Sequence, residues 1–277
     1  MDGTIYSTPE IISLVAGLAV ASAIAGILAG LLGVGGGIVI VPALFWLFTF
    51  INFNPELSMH MAVATSLATI IATSISSMRA HHKKGAVDIE LLKRWAPGVA
   101  LGALSGGFLA KFIDPAGLKS IFGAVALVVA INLATPKTLV VAKHVPSGKA
   151  ATSMISYIIG LVSSLMGIGG GTLSVPVLAS FSYPIHRAVG TASAFGLVIA
   201  VPAVIGFIYS GHDIAGRPPF SLGYVNLVAA IIILPFTTFF APIGARLAHS
   251  LDAVWVKRAF ALFLSITAIR MLASVVG

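Results

Sequence analysis

The residues best placed to do chemistry in this chain are glycines. Gly33-Val34-Gly35-Gly36-Gly37, with Pro42 five residues on, returns 134 positions later as Gly167-Ile168-Gly169-Gly170-Gly171 with Pro176. Each tract interrupts an apolar run, so one helix must stop there and another must start. A helix start leaves its first backbone N–H groups without partners and carries partial positive charge. Glycine removes the side-chain bulk that would keep an anion from those amides. Gly35, Gly36, Gly37, Gly169, Gly170 and Gly171 are therefore the expected substrate-binding backbone. The competing reading is close helix packing, which small residues also permit in membranes. A dinucleotide-binding loop is excluded, since that fingerprint needs a preceding strand and a distal acidic residue in a βαβ unit.

Hydroxyls supply the second candidate set. Thr65, Thr69, Thr73 and Ser76 recur at spacings of four, four and three, along one face of a helix, with Ser66, Ser74 and Ser77 beside them. Such hydroxyls either line a polar pathway, bond back to the preceding turn or hold helices together. His60-Met-Ala-Val-Ala-Thr65 parallels His186-Arg-Ala-Val-Gly-Thr191 at an offset of 126. This recurrence adds Thr65, Ser66, Thr191 and Ser193 to the expected substrate-binding residues. His60 and His186 begin their helices and suit either matched gating and proton response or ordinary interfacial solvation. Arg270, the counterpart of Asn132, lies inside an apolar run but within reach of the outer interface.

The elements that must position these residues are membrane helices. Apolar residues make up 58% of the chain and charged residues 9%, with a mean hydropathy of +1.07. Soluble domains carry about 25% charged residues. The chain has no cysteine, which removes disulfides, thiolate nucleophiles and sulfur-ligated metals. No metal site and no cofactor are expected. All eight acidic residues fall in loops or at segment ends. Cation carriers and pumps commonly keep a carboxylate inside the membrane, so its absence favours an anionic or neutral substrate. An intramembrane enzyme is disfavoured, because the remaining Ser and His residues form no paired nucleophile and base.

Apolar segments fall near 9–32, 36–51, 57–78, 88–113, 117–134, 150–167, 172–183, 186–210, 221–248 and 253–276. They form one membrane domain over residues 1–277, with repeat 1 at 9–134, repeat 2 at 150–276 and a cytoplasmic linker at 135–149. The first run carries no basic start and no usual cleavage site, so it is expected to be retained. Segments 36–51 and 172–183 are too short to cross and are expected half-helices. Pro97, Gly106, Asp114, Lys119 and Asn132 align with Pro235, Gly244, Asp252, Lys257 and Arg270 at an offset of 138. Five segments per half require the second half to be inverted relative to the first. With the N-terminus outside, twelve basic residues fall on the inner side and four on the outer, and both termini are periplasmic. That distribution reads as membrane orientation, not nucleic-acid binding. Whether the broken segments span or are re-entrant is left open by this parity. The expected fold is an all-α polytopic membrane protein of about 8–10 transmembrane segments in two inverted five-segment repeats with glycine-broken helices, an arrangement found in secondary transporters.

In the paired glycine signatures through Pro42 and Pro176, and in His60–Thr65 and His186–Thr191, the chain resembles the TauE/SafE family of sulfite and sulfonate exporters, also called the toluenesulfonate uptake permeases. The resemblance covers nearly the whole chain. It implies a bacterial inner-membrane transporter that exports sulfite, sulfoacetate or related organosulfonates, with proton coupling an expectation. The alternatives are an anion channel or an uptake permease for another organic anion. Ser66 against Ala192 and Thr69 against Phe195 lead to the expectation that the first half supplies more of the substrate-facing hydroxyls.

Overall fold

In a computed structural model that describes residues 8–135, 140–247 and 253–276, the described residues form ten α-helices. They are α1 (Thr8–Leu32), α2 (Gly37–Phe50), α3 (Pro55–His82), α4 (Ile89–Leu109), α5 (Pro115–Ala134), α6 (Lys149–Met166), α7 (Gly171–Ser180), α8 (Ile185–Ser210), α9 (Leu227–Leu247) and α10 (Ala253–Val276). Lys137, in the expected linker, and Asp252, expected at a segment end, lie outside the described residues. Among the described residues, six helices are long and apolar enough to cross a membrane: α1 over Ile12–Leu32, α3, α5, α6, α8 and α9. α4 has the length but carries Glu90, Lys93 and Arg94 in its first turns.

The half-helices appear where the glycine breaks require them. α2 and α7 have 14 and 10 residues, which at 1.5 Å per residue is about 21 and 15 Å against a hydrocarbon core of about 30 Å. One expectation changes. Segment 221–248 does not begin as helix, because Ser221–Leu222 and Val225–Asn226 pair as a two-stranded antiparallel hairpin that turns at Gly223 before α9 starts.

α3 and α8 form the buried centre, against which α4 and α9 also pack. Glycine seams join the outer pairs. A Cβ on Gly30 of α1 would lie 1.8 Å from the Ala241 carbonyl of α9, and one on Gly160 of α6 would lie 2.0 Å from the Val99 carbonyl of α4. The backbones touch directly there, as small residues allow where apolar burial supplies no preference for protein over lipid. The C-terminal ends of α3 and α9 share one end of the bundle with the N-terminal ends of α4 and α8, through Lys84 to Ala245 and Asp88 to Arg187. Arg79, Lys83, Lys84, Lys93, Arg94, Arg187 and Arg246 gather at this basic end.

Candidate functional site

The two glycine breaks meet each other about half way along α3. A Cβ on Gly37 would sit 2.2 Å from the Gly167 carbonyl oxygen, and one on Gly171 would sit 2.2 Å from the Gly33 carbonyl oxygen. Gly35 and Gly169 face each other, each with the other's Cα under 3 Å from where a Cβ would be. These contacts are reciprocal at the repeat offset. No larger residue fits at the crossing. The Gly169 N–H donates to the Val34 carbonyl at 3.2 Å, and Ser66 Oγ donates to the Gly167 carbonyl at 2.7 Å. Gly33 through Gly37 and Gly167 through Gly171 are all buried.

Neither half-helix has a side-chain cap: Gly36 precedes α2 and Gly170 precedes α7 without a capping bond. Their first-turn amides therefore keep their partial positive charge at the junction. The two near-identical tracts take different backbones. Gly33, Gly35 and Gly36 are left-handed in the first, whereas Gly167 alone is left-handed in the second.

Hydroxyls without partners surround the α7 start. Ser74 Oγ, Thr172 Oγ1 and Ser174 Oγ are buried with no hydrogen bond, as are Ser77 Oγ on α3 and Ser163 Oγ near the end of α6. A Cβ on Gly196 would lie 2.3 Å from Ser74 Oγ and 3.6 Å from the Gly170 nitrogen, so hydroxyl and amide flank the same point. Buried polar groups are normally paired, and an unpaired one costs about 1–3 kcal/mol. Thr172, Ser174 and Ser163 are not among the residues singled out from sequence. Their signal is polarity where the first half has Ile38, Ile40 and Ala29.

The other expected residues are engaged elsewhere. Thr69 and Thr73 bond back to the Ser66 and Thr69 carbonyls of their own helix, and Ser193 to that of Gly190. Among the described residues, buried hydroxyls without a partner occur in both halves. Thr65 and Thr191 play one matched role. Thr65 Oγ1 accepts from the Asn226 N–H and Thr191 Oγ1 from the Asp88 N–H, both at 2.9 Å. Asn226 and Asp88 correspond at the 138 offset, and their side chains cap α9 and α4 by accepting from the Ala229 and Leu91 amides. Thr65→Val is expected to leave a buried N–H unpaired and lower stability by about 1–3 kcal/mol, measurable as a fall in thermal midpoint in detergent.

The histidines are not matched in their surroundings. His60 is buried, its Nε2 is 3.0 Å from the Ala110 and Ile113 carbonyls and its ring stacks on Tyr224 at 4.9 Å. His186 is exposed. Positions 248 and 251, the counterparts of Ala110 and Ile113, lie outside the described residues. Arg270 sits with its guanidinium over Trp46 at 5.6 Å, away from the junction.

At the basic end, Asp88 accepts from Tyr183 and from Arg187, the latter at 2.9 Å, in the turn before α4. Burial pushes the Asp88 carboxyl up, but the Leu91 amide, the Tyr183 hydroxyl, Arg187 and the Glu90 amide together hold it below the usual aspartate range. The same burial and the Asp88 charge push Tyr183 up to about 12. A carboxyl held low stabilises the fold above the unfolded aspartate value near 3.9, and that contribution is lost as pH falls through the lower folded value. Asp88→Asn is expected to keep the cap, as Asn226 does, while flattening the acid limb of a stability–pH curve.

Comparison with known proteins agrees with this architecture. The family model described as "Sulfite exporter TauE/SafE" matches residues 18–271. A "Probable membrane transporter protein" of Haemophilus influenzae is 35% identical over 253 residues, covering 90% of this chain and 94% of that one. "Probable membrane transporter protein YunE" of Bacillus subtilis is 27% identical over 254 residues, covering 83% and 87%. A probable membrane transporter protein of Methanocaldococcus jannaschii is 28% identical over 231 residues, covering 81% and 82%. No solved structure matches the chain. An all-α, multi-pass membrane protein whose glycine breaks meet at its centre, this chain belongs to the sulfite exporter TauE/SafE family.

Proposed function

We propose that the protein is a secondary transporter that exports a small sulfur-containing anion, such as sulfite, sulfoacetate or a related organosulfonate, across the bacterial inner membrane by alternating access. The observation that carries this reading is the meeting of two uncapped half-helices at a buried glycine crossing. The amides of Gly35–Gly37, Gly170 and Gly171 supply donors, Ser74 and Thr172 supply hydroxyls, and the Gly169 amide, expected among the donors, is taken by the Val34 carbonyl. Ser66 fixes the crossing, while Thr65 and Thr191 hold the start of the helices that pack on α3 and α8. Sulfonate and sulfite oxygens accept hydrogen bonds from such donors without needing a cationic side chain.

The two halves are read as inverted repeats, with both termini periplasmic and the basic end cytoplasmic. In support, counterpart helices α3 and α8 run antiparallel, and the basic residues gather where a cytoplasmic face would have them. Support for alternation comes from the two glycine tracts, which hold different backbones on nearly the same sequence. Exchange of those conformations between halves would move the opening from one face to the other. His60 is the proposed proton-responsive group, with His186 at the basic face.

Purified protein in liposomes tests this reading with sulfite, sulfoacetate, taurine, sulfate and acetate, with and without a proton gradient. Saturable flux of a sulfur-containing anion, faster with the gradient, is the expected result. Flux of acetate alone would contradict the substrate class, and no flux at all would contradict transport of these anions.

A further inference from the structure

A crevice of about 500 Å³ opens at the basic end between α3 and α9. Its mouth carries Arg79, Lys83, Lys84 and Arg246, and among the described residues its lining contains no carboxylate. Deeper in lie Ala72, Ser76 and Thr238. Ser76 Oγ donates to the Thr238 carbonyl of α9 at 3.0 Å, which places it on the α9 side of α3. Lys84 Nζ reaches the Ala245 carbonyl at 3.5 Å across the mouth.

The counterpart positions between α8 and α4, at the opposite end of the bundle, are shut. Gly206 and Gly107 stand where α3 and α9 have Ala80 and Ala245, and a Cβ on either glycine would lie under 3 Å from the other's Cα. Ser210, the counterpart of Lys84, donates to the Gly107 carbonyl at 2.9 Å, spanning the same gap with a shorter side chain. Tyr209 and Phe108, the counterparts of Lys83 and Arg246, meet edge to face at 5.3 Å between centroids. One pair of helix ends is zipped by glycine and aromatic contacts, and its partner pair is held open and lined with cations.

We propose that the α3–α9 crevice is the admission site for a small sulfonated anion from the basic face. Arg79, Lys83, Lys84 and Arg246 draw the anion in, and the Gly107–Gly206 and Phe108–Tyr209 contacts are the closed gate of the other face. This rests on the anion-carrier reading and adds where the anion binds first. Long basic side chains around a narrow, low-dielectric opening concentrate anions and raise their rate of arrival by roughly 10–10³-fold. Ser76 lines the crevice wall, so a thiol placed there meets whatever the crevice admits.

The chain has no cysteine, so a single introduced thiol reports on the crevice alone. Ser76→Cys protein in neutral phosphatidylcholine bilayers is treated with sulfonatoethyl and trimethylammonioethyl methanethiosulfonates, each normalised to a free thiol. The anionic reagent is expected to react about tenfold or more faster, in line with electrostatic steering. Sulfoacetate should protect, and Arg79→Gln/Lys83→Gln/Arg246→Gln should remove the preference. Ser210→Cys should stay unreactive from the opposite side. Ala80→Cys, one turn nearer the mouth, gives the same test should Ser76→Cys fold poorly. Equal rates for the two reagents, or no protection by sulfoacetate, would overturn the proposal. So would blockade by added phosphatidylglycerol with no effect of sulfoacetate, which would make the crevice a lipid-headgroup site. Labelling as expected in a protein without flux would uphold the anion site and count against the carrier reading.

Discussion

Gly37→Ala is expected to abolish flux of the transported anion, and Gly171→Ala to do the same. The added methyl would lie 2.2 Å from a carbonyl oxygen of the other break in each case, Gly167 for Gly37 and Gly33 for Gly171. Those atoms are backbone and cannot rotate away, so the half-helices must separate. Forced overpacking of this kind costs about 1–3 kcal/mol, and the cost falls on the amides proposed to bind the anion. Gly17→Ala provides the control, since nothing lies within 4 Å of its added methyl. Its flux should stay within about twofold of the parent, as for ordinary surface substitutions. Ligand-induced thermal stabilisation separates a lost site from a lost fold. A bound anion at a hundred times its Kd stabilises by about 2.7 kcal/mol, and this increment should vanish in Gly37→Ala protein that remains monodisperse. Packing alone as the role of these glycines predicts instead a less stable protein that still binds and transports.

Ser74→Ala and Thr172→Val are expected to move stability and transport in opposite directions. Both hydroxyls are buried without a partner, so removing either relieves an unpaired group and should leave the fold as stable as before or more so. Flux should nevertheless fall about tenfold to a hundredfold, because a hydrogen bond to a charged group contributes about 1.5–3 kcal/mol. A purely structural hydroxyl would give the reverse, with stability reduced and flux unchanged. Thr69→Val is the natural comparison, since Thr69 already bonds to the Ser66 carbonyl of its own helix. Measuring the thermal midpoint and the initial flux rate on the same preparations decides between the two.

The half-helices were legible because two signals coincide: glycines that stop one helix, and apolar runs, 36–51 and 172–183, too short to cross. The conformations of the two breaks were not. Val34 and Ile168 aside, their sequences are the same from Gly33 and Gly167 onward for five residues, so the left-handed glycines at 35 and 36 are set by tertiary packing. Gly36, for example, is held against the Ala25 carbonyl. The hairpin at Ser221–Asn226 escaped notice because strands of two residues have too little periodicity to stand out beside an apolar helix. The paired histidines and threonines show a third limit. Repetition in sequence correctly linked Thr65 with Thr191, yet their shared task is to receive the N–H of a capping residue, which only the position of α4 and α9 reveals. His60 and His186 share a motif but differ in burial, since α4 ends over His60.

The hydroxyls were the hardest to judge. Spacing placed Thr65, Thr69, Thr73 and Ser76 on one helical face, but spacing carries no information on which hydroxyl bonds back to its own turn. Substitution between halves would have been the better guide: Thr172 and Ser174 replace Ile38 and Ile40 beside the second break, and both are left unpartnered.

Counterflow tests the carrier most directly. Liposomes holding the wild-type protein are loaded with unlabelled sulfoacetate, and the uptake of external labelled sulfoacetate is followed, with sulfite loading as a second arm. Transient accumulation of label above its external concentration, saturating with substrate, is expected of a site that faces one side at a time. Uptake that only equilibrates, rises without saturation and carries large unitary currents would contradict alternating access and make the same glycine crossing the filter of a channel.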